Sequence, residues 1–211
     1  MRKSPRDRRL EADYQAVRKL RSESTILEFE ATGTPPTRYR MIFSGLGYYR
    51  NKSGEIAVTD RHEVVIELGA AYPRLVPNLA WQTPIFHPNI SNNGVVCLGG
   101  YGTHWVPSLT LDEMCVMLWD MIRYKNYDTE SPYNRDAALW AKSMGKHNFP
   151  VDQRSIRDRV SGQVSDDRIE VTPISQTPGI PSANSSVNDR VIEDGIEIIK
   201  QGGEDEIVFL D

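Results

Sequence analysis

Residues 72–107 read YPRLVPNLAWQTPIFHPNISNNGVVCLGGYGTHWVP, and how this stretch is taken decides the fold. Five prolines, a His-Pro-Asn and a Trp-x-Pro interrupt it, and its apolar residues follow neither the helical nor the two-residue period. Proline removes a backbone donor and fixes φ, so most of the stretch suits neither a helix nor a central strand. One short strand is expected after Pro77, turning Leu79 and Trp81 inward, and the remainder is expected to be a long ordered loop. Such loops inside compact domains usually carry function. Within this one, Cys97 is the side chain with strong nucleophilic chemistry.

Upstream, the chain supplies a platform for that loop. RDRRLEADYQAVRKLR at 6–21 sets Leu10, Tyr14, Val17 and Leu20 near helical spacing and predicts an amphipathic helix with a basic outer face. Extended runs follow at 25–31, 39–43 with 48–49, 55–58 and 62–68, with turns expected at Gly33-Thr-Pro-Pro, Gly45-Leu-Gly47 and Asn51-Lys-Ser-Gly54. Short linkers and period-two runs argue for an antiparallel meander. Downstream, LTLDEMCVMLWDMI at 109–122 predicts a helix capped by Thr110 or Asp112, with Leu111, Met114, Cys115, Leu118, Met121 and Ile122 as its core stripe. A second helix is expected from Asn134, its cap, with Trp140 turned inward. Helix, strands, then helices is the α+β order.

The 211 residues, 39% of them hydrophobic, allow one ordinary domain and an appendage. The core is expected over 1–150. A flexible linker and an acidic, β-branched tail with runs at 196–200 and 204–211 are expected over 151–211. That tail is read either as a strand that adds to a partner's sheet edge or as a frayed end. No apolar run reaches the roughly 18 residues of a membrane span, and the basic N-terminus lacks the apolar block of a secretory signal. Two cysteines make no disulfide framework, so free thiols and a cytoplasmic setting are expected. The basic start and the acidic end point to an acidic protein surface as partner of the first helix, or weakly to a nucleic acid, and no membrane partner is expected. Nucleic acid is disfavoured, because no basic patch with interleaved aromatics accompanies the helix.

Near Cys97 in sequence the only histidine is His104, and no acid follows in protease order, so local signal does not support a Cys-His hydrolase. The loop offers instead the neutral amide of Asn89 and the backbone amides around Gly94, Gly99 and Gly100. An amide that donates without taking a proton suits stabilisation of an oxyanion in acyl transfer, and Cys97 needs no strong base if it exchanges with an existing thioester. Asn89 is equally suited to holding the loop through backbone hydrogen bonds. His87 and Pro88 are read as loop-fixing, Trp105 and Pro107 as packing and turn residues. Cys97 as a small buried hydrophobe is the bland alternative, against which its glycine-rich surroundings argue.

Taken together, Tyr72-Pro73, Pro77, Trp81, Thr83, His87-Pro88-Asn89-Ile90, Gly94, Cys97-Leu98, Trp105-x-Pro107, Pro132-Tyr133-Asn134 and Ala137-Ala138 resemble the core of the ubiquitin-conjugating enzyme family over roughly residues 6–148. Asn89 and Cys97 stand eight apart, as do Cys97 and Trp105. The resemblance implies a UBC-like fold and an acyl transfer without cofactor or metal. Cys97 would accept a ubiquitin-like protein as a thioester from an activating enzyme and pass it to a lysine of a target protein. It implies catalytic roles for Cys97 and Asn89, a docking face for the activating enzyme at Arg8, Arg9 and Arg18, and a lysine gate among Asp128, Thr129, Glu130 and Ser131, with Asp128 and Ser131 the leading candidates. Arg74 stands where many members carry an aromatic, and Val106-Pro107-Ser108 where a Ser-Pro-Ala is usual, which leaves a conventional ligase partner open. The divergent core with its own tail is similar to the stand-alone conjugating enzymes of bacterial ubiquitin-like operons, some linked to phage defence. A non-catalytic scaffold that binds a ubiquitin-like protein is the rival reading, opposed by Cys97 in its full motif.

Overall fold

In the computed structural model, residues 3–98, 105–161, 192–193 and 196–197 are described. Helix α1 (Pro5–Ser22) starts where Ser4 accepts a hydrogen bond from the backbone N–H of Asp7 at 3.0 Å while the Asp7 carboxylate accepts from Ser4 N–H, with proline at the first turn. Its buried face is Leu10, Asp13, Val17 and Leu20, so one carboxylate lies among the apolar residues. Strands β1 (Leu27–Gly33), β2 (Pro36–Arg50), β3 (Ile56–Glu67) and β4 (Asn78–Trp81) form an antiparallel sheet in sequence order. The β2–β3 turn is built by Asn51, whose side-chain oxygen accepts from the N–H groups of Ser53 and Glu55, and by Gly54 at φ +87°.

The runs at 55–58 and 62–68, read as separate, form the single strand β3, and the run at 39–49 continues through β2 without a turn. Gly45-Leu46-Gly47 is no turn but an irregularity inside β2, where the register to β3 shifts between Ser44 and Gly47. Bulky side chains press on both glycines. A Cβ on Gly45 would lie 2.2 Å from the Trp119 ring, and one on Gly47 2.6 Å from the His62 ring. The glycines that resembled a turn in sequence are there to admit an indole and an imidazole.

The inner face of the sheet carries Tyr39, Met41, Phe43, Val64, Ile66, Leu79 and Trp81. Against it lie α1 and α2 (Leu111–Ile122), whose first turn is closed by Glu113 accepting from the N–H and hydroxyl of Thr110, so Thr110 rather than Asp112 is the cap. The expected stripe of α2 is buried, and Met117 and Trp119 are buried besides. Helix α3 (Arg135–Met144) is capped by Asn134, which accepts from Ala137 N–H at 3.1 Å. Trp140 is half-buried among the rings of Tyr48, Phe86, Tyr124 and Phe149.

The packed core runs past residue 150, where the sequence had ended it. The carbonyl of Arg154 accepts from Trp119 Nε1 at 2.9 Å, Ile156 is buried, and the Asp158 carboxylate accepts from Thr25 N–H at 2.7 Å at the start of a last turn, α4 (Asp158–Ser161). This segment covers the side of α2 that a single stripe would leave open, which is why Trp119 is inside. Residues 162–191, and most of the expected tail including the run at 204–211, lie outside the described residues. Within the second unit, Ile169–Asp211, strands β5 (Ile192–Glu193) and β6 (Ile196–Glu197) pair antiparallel. Among the described residues no helix is long and apolar enough to cross a membrane.

His62 is fully buried, and removal from water holds its pKa down at about 4, so it is neutral at pH 7. The unfolded chain binds that proton near pH 6.5 and the folded chain only near 4. Stability is therefore lost as pH falls through this window, by on the order of 3 kcal/mol from His62 alone. Guanidinium unfolding at pH 7.5, 6.0 and 5.0 is expected to show the decline, and His62→Asn, which cannot titrate, a shallower one.

Candidate functional site: a thiol on a clamped loop

Cys97 is reached from β4 by a short backbone ladder. Trp81 N–H donates to Gly94 O at 2.8 Å, Ser91 N–H to Val95 O at 2.9 Å and Cys97 N–H to Asn89 O at 2.9 Å, with bridges between Ala80 and Val95 and between Ile90 and Val96. Gly94 turns the ladder at φ +81°, and a Cβ there would meet Trp81 O at 2.3 Å, so both the turn and the close approach require glycine. The stretch expected as irregular loop is thus paired in part, by bridges too short to give an alternating pattern.

His-Pro-Asn fastens this ladder to the segment after α2. His87 is buried; its Nδ1 accepts from Asn89 N–H at 3.1 Å, which places the ring proton on Nε2, facing Asn126 O at 3.3 Å. Burial lowers the His87 pKa to about 3, so the ring is neutral and unsuited to proton transfer near neutrality. The carbonyl of Pro88, itself buried, accepts from the N–H groups of Tyr133 at 2.8 Å and Asn134 at 2.9 Å. Asn89, 1% exposed, donates from Nδ2 to Asp128 O at 3.0 Å and accepts from Asp128 N–H at 2.7 Å. Its side chain closes a ring on both backbone groups of one residue of the opposite segment, Asp128.

The candidate gate residues stand on that segment. The Asp128 carboxylate accepts from Glu130 N–H at 2.7 Å and stays within its own turn, Glu130 pairs with Lys142 at 3.0 Å, Thr129 is half-buried and Ser131 is exposed. Of the basic helix residues, Arg8 and Arg18 are exposed, Arg18 lying 5.8 Å over the Tyr14 ring. Arg9 is turned inward. Its Nε meets Asp13 at 2.8 Å and its guanidinium also donates to Tyr72 Oη and to the carbonyls of Pro107 and Leu109. It thus leaves the outer face to its neighbours.

Cys97 is half-buried at a cavity of about 410 Å³ whose walls include Val76, Val95, Leu98, Val106, Met117 and Tyr133. Cys115 is fully buried, and burial raises its thiol pKa far above the ordinary range, so it is chemically silent. The amides of Gly99 and Gly100, and His104, lie outside the described residues. Trp105 Nε1 donates to Pro73 O at 2.6 Å, in keeping with a packing role. Sequence reasoning missed Asp13, whose only signal was a carboxylate falling in register with Leu10, Val17 and Leu20. No group of metal-ligating side chains occurs among the described residues.

A family model described as "Ubiquitin-conjugating enzyme" matches residues 59–153. The curated protein "Ubiquitin-conjugating enzyme E2 16" of Schizosaccharomyces pombe is 42% identical over 82 residues, 38% of this chain and 50% of that protein. The chain thus spans about half the length of this relative. Among solved structures, "S. cerevisiae Ubc12" is similar with a TM-score of 0.54 at 21% identity, covering 81% of this chain and 85% of that one, which bears on the fold alone. Both are yeast proteins and add no support to a bacterial setting. The UBC-like α+β fold expected from the sequence is found, and residues 59–153 are similar to the family's core.

Removing the Asn89 side chain leaves the N–H and carbonyl of Asp128 without these partners. Asn89→Ala is expected to lower unfolding free energy by about 2 to 4 kcal/mol, measured by guanidinium unfolding at pH 7.5. Loss of less than a fifth of that would show the clamp to be inert.

Proposed function

We propose, from the match of residues 59–153 to the ubiquitin-conjugating enzyme family and the geometry around Cys97, that the protein is a conjugating transferase for a ubiquitin-like protein. The thiolate of Cys97 attacks the thioester carbonyl presented by an activating enzyme, whose own thiolate leaves, and the modifier becomes a thioester on Cys97. A target lysine amine then attacks that carbonyl; an isopeptide bond forms, the amine gives up its proton, and Cys97 leaves as thiolate. The cytoplasm, where thiols stay reduced, is the setting this chemistry needs.

The observation that carries the reading is the contrast between the two thiols. Cys97 opens on a cavity at the end of a pinned ladder, whereas Cys115 is sealed in α2. Asn89 serves first as the clamp that fixes the ladder against the Asp128 segment. In transfer the same amide is assigned a second role, donating to the oxyanion that forms at the thioester carbonyl carried on the Cys97 sulfur. Asp128, whose backbone is held by that clamp, is taken as the gate residue ahead of Ser131. Arg8 and Arg18 form the docking face on α1. A ligase is left unassigned because Arg74 and Val106 stand where its usual contacts would be.

The test is intact mass spectrometry without reductant, after ATP and a panel of ubiquitin-like proteins with their activating enzymes. A mass increase removed by thiol, absent in Cys97→Ala and resistant to thiol in Cys97→Ser, is expected for one modifier. A folded protein that forms no adduct with any active pair would leave the scaffold reading in its place.

A further inference from the structure

A buried polar hub on the inner side of α1 holds both flanks of the Cys97 cavity. Asp13 is 1% exposed, yet it lies in an apolar face, where an ionised carboxylate is costly unless several donors meet it. Three donor contacts do. Its Oδ2 accepts from Arg9 Nε at 2.8 Å and from the Tyr72 hydroxyl at 2.6 Å, and its Oδ1 from the backbone N–H of Leu111 at 3.2 Å. Arg9 in turn meets the Tyr72 hydroxyl at 3.1 Å, lies 5.3 Å over the Tyr72 ring, and donates to the carbonyls of Pro107 and Leu109. The next residue after Tyr72, Pro73, receives Trp105 Nε1 at 2.6 Å.

These contacts join three segments: α1, residues 72–73 and residues 105–111. Residues 72–73 lead into Val76 and Pro77 on one wall of the cavity, and residues 105–111 supply Trp105, Val106 and Leu109 on another. The segment 105–111 also follows directly on the stretch that carries Cys97. A plain core would have sealed α1 with a leucine at position 13. A carboxylate there adds directional bonds that set where the two wall segments sit, at the cost of desolvating a charge.

The geometry points to Asp13, with Arg9 and Tyr72, as a positioning hub that sets the width of the Cys97 cavity and so the rate of the transfer step, while touching neither the thiol nor its acyl group. This rests on the transferase reading for its catalytic meaning, but its geometric content stands apart from that reading. Arg8 and Arg18 lie on the outer side of the same helix, so a partner seated there bears on the element that holds the hub.

The test uses the full chain and the reactivity of its one accessible thiol, because Cys115 is sealed. Rates of Cys97 alkylation are measured with iodoacetamide and with a bulky maleimide-polyethylene glycol, for wild type, Asp13→Asn and Tyr72→Phe, at a temperature where each is folded by circular dichroism. Tyr72→Phe deletes one hydroxyl and keeps the ring, so it carries the test should Asp13→Asn fail to fold. The expected result is a change of about five-fold in the rate ratio of bulky to small reagent, the equivalent of one ordinary hydrogen bond, with discharge of a preformed Cys97 adduct slowed and the KM for charging unchanged. An unchanged ratio, or two rates that move in parallel, would overturn the proposal by showing the hub to be packing only. A wild type that alkylates as described but never charges would sink the transferase reading and leave the hub to be judged on the ratio.

Discussion

The side chain of Asn89, closed on the N–H and the carbonyl of Asp128, is the fastening on which the site depends. It joins the ladder that ends in Cys97 to a segment 39 residues downstream, and it does so in a buried place where a missing partner would be costly. His87 and Pro88 add bonds to Asn126, Tyr133 and Asn134 on the same segment. Three consecutive residues thus pin two otherwise irregular stretches. A proline-rich chain with few regular hydrogen bonds of its own needs such a device to keep a nucleophile in one place.

The contrast between the cysteines follows from burial more than from local sequence. Cys115 falls in the apolar stripe of α2 and is cut off from water, which disfavours its thiolate. Cys97 ends the ladder at a cavity mouth. Neutral His87 stands beside Asn89 as a scaffold: with burial pushing its pKa to about 3, it offers a hydrogen-bond acceptor and a donor but no proton exchange near neutrality. A loop of this kind suits exchange between thioesters, where the incoming carbonyl is already activated.

Much of this was legible in the sequence. Periodicity gave α1 and α2, Asn134 gave the cap of α3, and turn residues gave most of the meander, because each rests on local chemistry. Gly45 and Gly47 misled, since glycine marks a close approach of Trp119 and His62 as readily as a turn. Arg9 was grouped with Arg8 and Arg18 on the basic docking face that the resemblance implied, and the partners brought to it from positions 13, 72, 107 and 109 turn it inward. The end of the core at residue 150 was drawn where apolar periodicity stopped. The packing of Asp152, Arg154, Ile156 and Asp158 rests instead on backbone carbonyls and carboxylates, and these leave no periodic trace. Asn89 carried two readings in sequence, and its contacts favour the clamp in this state.

The most direct measurement of the proposed transfer is a single-turnover discharge: the Cys97 adduct is isolated, the activating enzyme is removed, and free lysine is added in excess. The expected result is loss of the thioester matched, mole for mole, by a lysine–modifier conjugate, with the rate rising with lysine concentration. Release of free modifier at a rate independent of lysine would contradict the account, because it would show a thiol that can be charged but does not transfer.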